Sequence, residues 1–128
     1  MYIRVSASAL RRVFARDMGP FMLLLGNRIN NGATRRCNVD TGRLRAAMYY
    51  ELTRNVDFDA AVRIGNHTTY ARWVHDGTGP HIIRPNPPRK FLRFPGRGGI
   101  VFARQVNHPG YAGNPFLLDA AREELARL

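Results

Sequence analysis

Four histidines, His67, His75, His81 and His108, with Asp76 beside one of them, are the residues best suited to bind a metal or move a proton. Their spacing builds no site. No pair has the helical spacing of a His-Glu-x-x-His zinc motif, and Cys37, the single cysteine, allows neither a thiolate cluster nor an intrachain disulfide. A histidine beside the Gly77-Thr78-Gly79-Pro80 turn is expected to bond backbone. Gly96-Arg97-Gly98-Gly99 lacks the Lys-Ser ending and the following helix of a phosphate loop. No two carboxylates are placed for acid–base work. The expectation is a protein that is not an enzyme and has no metal or cofactor residues.

Charge carries more information. The 128 residues hold 20 Lys+Arg against 9 Asp+Glu, a formal net charge of +11. Such basicity points to an anionic partner: nucleic acid, an acidic protein surface or a membrane face. Every base but Lys90 is arginine, whose planar fork suits bidentate contacts to carboxylate and phosphate. GC-rich coding would give the same bias. Residues 81–113 hold six bases, Arg84, Arg89, Lys90, Arg93, Arg97 and Arg104, and no acid stands between Asp76 and Asp119. Phe91, Phe94 and Phe102 are interleaved with these bases, as in segments that track a nucleic-acid backbone and stack bases. By periodicity alone, the phenylalanines are instead the buried face of strands and the arginines the exposed face.

The hydrophobic fraction of 45% and the charged fraction of 23% are those of a folded globular chain, and the length suits one domain over 1–128. The longest apolar block, Phe21 to Leu25, is far below the roughly 20 residues of a membrane span. Met1 leads into Tyr2-Ile3-Arg4-Val5 without a signal-peptide pattern. A soluble protein made in a cytoplasm, without membrane partners, is expected.

Elements follow from pattern. Residues 1–36 read as helical: Ser6 or Ser8 caps, Leu10, Val13 and Phe14 face inward, and Arg11, Arg12 and Arg16 face out. Gly19-Pro20 marks a kink, after which Phe21, Leu24, Leu25, Arg28 and Ile29 keep helical spacing until Asn30-Asn31-Gly32 weakens it. Residues 47–55 and 59–65 alternate as an antiparallel strand pair turning at Asn55 to Asp59. Tyr70 to His75 is a short helix with Tyr70, Trp73 and Val74 packed on the sheet. Short strands at His81-Ile82-Ile83, Phe91 to Phe94 and Ile100 to Val106 surround the proline-rich stretch from Pro85 to Pro88. Phe116 to Leu128 is a closing helix burying Leu117, Ala120, Ala121, Leu125 and Leu128. The class is α+β: N-terminal helix, an antiparallel sheet of about four to five strands with a long basic excursion over 77–113, a short helix and a C-terminal helix.

Five pieces in order carry a resemblance: Val39-Asp40-Thr41-Gly42-Arg43-Leu44-Arg45-Ala46; Val62-Arg63-Ile64-Gly65; Tyr70 through Thr78; His108-Pro109-Gly110; and Asn114-Pro115-Phe116-Leu117. Over about residues 39–120 the chain resembles the neck proteins of long-tailed bacteriophages, the head–tail connector, joining and tail-completion proteins. On that pattern Thr41 caps a helix started at Gly42, Leu44 plugs the core, and Tyr70 and Trp73 pack on the sheet. Gly77 lets the backbone reverse, and Pro115 launches a helix with Phe116 inward. Two positions depart from the family: it often has an acid where His75 stands and arginine where Asn114 stands, which bears on local interface contacts.

The resemblance implies a structural virion protein made in the bacterial cytoplasm. It implies a homo-oligomeric ring of six copies, or alternatively twelve, between the portal-side connector or stopper and the tail terminator or tail tube. The basic excursion would contact a neighbouring subunit or the packaged DNA. A tail terminator capping the tube and a non-specific nucleic-acid-binding protein are the competing readings.

Overall fold

The computed structural model describes residues 1–6, 18–56 and 59–128, and the helical cap and stripe expected between Ser8 and Arg16 lie outside them. The chain divides into two compact units, a body of Met1–Asp76 with Gly113–Leu128 and a ribbon unit of Gly77–Ala112.

In the body, β1 (Tyr2–Ser6), β2 (Met48–Val56) and β3 (Asp59–Asn66) form an antiparallel sheet in the order β1-β3-β2. The β2–β3 pair is the one the alternation predicted, in register from Met48↔Asn66 to Val56↔Asp59 with a bulge at Leu52/Arg54. The start of the region expected to be helical is not helix. Tyr2–Ser6 is a strand whose partners run from Tyr2↔Gly65 to Ser6↔Ala61, and β-rich Tyr2-Ile3-Arg4-Val5 suits it. β3 is the central strand and buries most of its length.

Helix α1 (Gly19–Arg36) packs on this sheet and against α4 (Phe116–Ala126). Its buried side is Met22, Leu25, Gly26, Ile29, Gly32 and Ala33, whereas Leu24 is exposed, contrary to the expected stripe. Asn30-Asn31-Gly32 does not end the helix. Asn31 Nδ2 bonds Asn27 Oδ1 at 2.8 Å, and Gly32 is a close-packing point beside Ala120 of α4.

Helix α2 (Arg43–Ala46) begins at Gly42, which is the N-cap with φ 82 in the left-handed region. Thr41 makes no capping bond, a correction to its expected role, because glycine takes that position. Leu44 is buried as expected. Asn66, itself buried, pins α2 to the end of β3: its Nδ2 donates to Leu44 O at 2.6 Å, and its Oδ1 accepts from Thr68 N at 2.9 Å.

In α3 (Ala71–Asp76) the inward residues are Ala71 and His75, with Tyr70 and Val74 packed at the core's margin. Trp73 is 55% exposed rather than packed on the sheet, because two residues past inward-facing Ala71 lies the opposite side of a helix. In α4, Phe116, Leu117, Ala120 and Ala121 face the core as expected. Glu124, not Leu125, continues the stripe, and Leu125 and Leu128 are exposed. Glu124 accepts from Arg127 at 3.1 Å, which offsets its burial.

The remaining strands lie in the ribbon unit: β4 (His81–Ile83) pairs with β7 (Val106–His108), and β5 (Leu92–Gly96) with β6 (Gly99–Ala103). Among the described residues the strands thus form one three-stranded sheet and two two-stranded ribbons rather than one sheet of four to five. Among the described residues, no helix is long and apolar enough to cross a membrane.

Candidate functional site

The ribbon unit holds all six bases of the acid-free stretch. Its first pairing is the Thr78↔Tyr111 bridge, followed by His81↔His108 through Ile83↔Val106. Gly77 (φ 80) and Gly110 (φ 92) take left-handed backbone at this end, and Thr78 O closely approaches Gly110. His81 and His108 stack at 4.9 Å between centroids. His81 Nδ1 lies 2.9 Å from Gly79 O, and His108 Nδ1 accepts from Gly110 N at 3.0 Å, so both bond backbone. Among the described residues, no group of three or more His, Cys, Asp or Glu could hold a metal ion.

Beyond Ile83↔Val106 the two sides fall out of step. Pairing resumes at Leu92↔Ala103, so residues 84–91 on one side face only Arg104 and Gln105 on the other. The surplus chain bulges as a proline-rich loop, closed by Arg89 N donating to Asn86 O at 3.0 Å, with a cis peptide at Pro87-Pro88. Between this loop and β5 lies a cleft of about 890 Å³, lined by Ile83, Arg84, Pro87, Arg89, Phe91 and Arg93 among others. Arg84, Arg89, Lys90, Arg93, Arg97 and Arg104 are all exposed, and none has an ion-pair partner among the described residues.

The phenylalanines are not a buried face. Phe91 is 50% and Phe102 65% exposed, because a two-stranded ribbon has no further layer of its own to cover them. Directly paired residues share a face, so Phe94 (with Val101) and Phe102 (with Arg93) lie on opposite faces of the β5–β6 ribbon. They cannot form one continuous stacking platform. Ile82, Ile100 and Val101 are exposed too, an apolar load that isolated surface ribbons rarely carry.

In the body, the positions carrying the resemblance act as clamps. His75 is buried, with its ring edge-on to Phe116 at 5.2 Å. Leu118 N donates to its Nε2 at 3.4 Å, leaving Nδ1 to donate to Asp76 Oδ1 at 2.7 Å. Asn114 Nδ2 donates to Arg36 O at 2.8 Å and Asn38 Oδ1 at 2.6 Å, and its backbone N donates to Val74 O at 2.9 Å. Pro115 is the N-cap of α4, and Phe116 and Leu117 behind it are fully buried. His75 and Asn114 therefore make internal bonds that tie α1, α3 and α4 together.

His67 stacks on Tyr49 at 4.1 Å beside a second concavity of about 590 Å³ lined by Arg43, Thr69 and Tyr70. Burial raises the Cys37 thiol above its ordinary 9.0, against the smaller opposing effect of Arg45, so the thiol stays neutral and a poor nucleophile. Comparison with known proteins adds no relative: no family model, curated protein or solved structure matches the chain.

Sequence reasoning found the charge of this site but missed its cleft. The reading of Ile100 to Val106 as one strand left no break on that side, whereas β6 ends at Ala103 and β7 begins at Val106, and this hid the offset of eight residues against two.

Proposed function

We propose that this chain is a structural protein of a long-tailed bacteriophage neck, joining the DNA-filled head to the tail as part of a homo-oligomeric ring. The observation that carries the reading is the ribbon unit, where six unpaired bases and exposed apolar side chains leave a surface suited to docking. The order of the five motif pieces supports it, and so do their roles: starting α2 at Gly42, placing Leu44 and Phe116 in the core and turning at Gly77. Leu23, Leu24 and Trp73 on the body are exposed apolar side chains that contacts around a ring would cover. Such contacts are heterologous and close at a fixed number, six copies on this reading and twelve as the alternative. The neighbours are the portal-side connector and the tail terminator or tube. The terminator role itself is the nearest alternative.

Non-specific nucleic-acid binding is favoured by the unpaired bases and disfavoured by the split placement of Phe94 and Phe102. It would give tight DNA binding at physiological salt, falling with a slope of about −0.9 per phosphate contacted.

Reversing Arg89 and Lys90 together (Arg89→Glu, Lys90→Glu) tests the docking role. Both side chains are exposed, so the fold and thermal midpoint should be unchanged. Like-charge juxtaposition at an interface costs several kcal/mol, so phage yield on complementation should fall by roughly tenfold or more. An unaltered yield contradicts the reading.

A further inference from the structure

We propose that the cleft between the proline-rich loop and β5 binds an acidic polypeptide segment bearing an apolar or aromatic side chain, supplied by a protein other than this one. The inference deepens the joining role by naming the chemistry of the ribbon's partner, and rests on that reading for the partner's place in the virion.

Three guanidinium groups, those of Arg84, Arg89 and Arg93, line the cleft, and residues 77–112 contain no acid to neutralise them. Arginine forks take carboxylates bidentately. Ile83, Pro87 and Phe91 give the same cleft apolar walls, which pair the charge contact with burial of a side chain. A volume of about 890 Å³ suits a few residues of a peptide.

Nucleic acid fits less well. A strand is tracked by a continuous basic groove with successive aromatic platforms, whereas Phe91 lies in the cleft and Phe94 and Phe102 occupy opposite ribbon faces.

A second copy of this chain fits poorly too. With +6 in the ribbon unit out of +11, the rest of the chain is itself net positive. Among its described acids, Glu51, Asp59, Glu123 and Glu124 already pair with arginines and Asp76 accepts a bond from His75, leaving Asp40 and Asp119.

The test is fluorescence anisotropy on the full chain at physiological salt. The probe is a labelled peptide alternating glutamate and phenylalanine, set beside an oligothymidylate carrying the same number of negative charges. Two triple variants remove equal charge: Arg84→Ala, Arg89→Ala, Arg93→Ala in the cleft, and Arg28→Ala, Arg72→Ala, Arg122→Ala on exposed positions of the body. Circular dichroism checks that both fold. The peptide should bind more tightly than the oligothymidylate, and binding should weaken roughly tenfold in the cleft variant while changing less than about twofold in the body variant. Equal loss in both variants, no peptide binding, or tighter binding of the oligothymidylate overturns the proposal. The assay does not depend on joined heads and tails, so its failure leaves the neck reading standing.

Discussion

Phe116→Ala is expected to destabilise the body by about 3–5 kcal/mol, the usual cost of emptying a core phenylalanine site. Phe116 is fully buried as the first residue of α4, edge-on to His75. Its neighbours give the cavity little room to collapse. Leu117, Ala120 and Ala121 are held by the helix, and His75 is held at both ring nitrogens, Nδ1 donating to Asp76 and Nε2 accepting from Leu118 N. Urea unfolding followed by circular dichroism measures the effect, with Phe102→Ala as the comparison. Phe102 is 65% exposed, and its truncation should leave stability within about 0.5 kcal/mol. A Phe116→Ala loss no larger than that of Phe102→Ala would contradict the placement of α4.

Gly26→Val should unseat α1 from the sheet. A Cβ at position 26 would lie 2.5 Å from Val62 Cγ2 and 3.5 Å from Tyr50 Cδ2, so helix and sheet approach here at a distance set by the missing side chain. Val62 is itself fully buried on the central strand and has nowhere to retreat. Replacing glycine by valine gains a few tenths of a kcal/mol in helix propensity, whereas overpacking a core costs about 1–3 kcal/mol or more. The overpacking wins, and a net loss of roughly 2 kcal/mol is expected in the same urea experiment. Gly98→Val, at a position with open space around its Cβ, should leave stability unchanged. A neutral or stabilising Gly26→Val would mean that α1 does not cross β3 at this point.

Where local pattern and tertiary contact agreed, the sequence was readable. Strands β2 and β3 follow their period-two alternation, and α4 follows Asn114-Pro115 with Phe116 and Leu117 inward. Readings failed where a contact distant in sequence decided. Gly32 looked like a breaker and is a packing point against Ala120, far along the chain. Trp73 looked like core, yet Ala71 and His75 fix which side of α3 faces in. Leu125 lost its place to Glu124, whose charge is met by Arg127.

The candidate site divides the same way. Its charge is visible as an acid-free run in the sequence. Its concavity arises from the pairing offset between Ile83↔Val106 and Leu92↔Ala103, which no local propensity encodes. The exposure of Phe91 and Phe102 was hidden because alternation marks a strand but does not say whether a second layer covers it.

Electron microscopy of a lysate from the phage lacking this gene tests the joining role most directly. The account predicts DNA-filled heads beside separate tails of normal length, restored to whole virions by the intact gene. Tails of uncontrolled length would move the protein to the terminator role. Intact virions, or an absence of filled heads, would contradict the account.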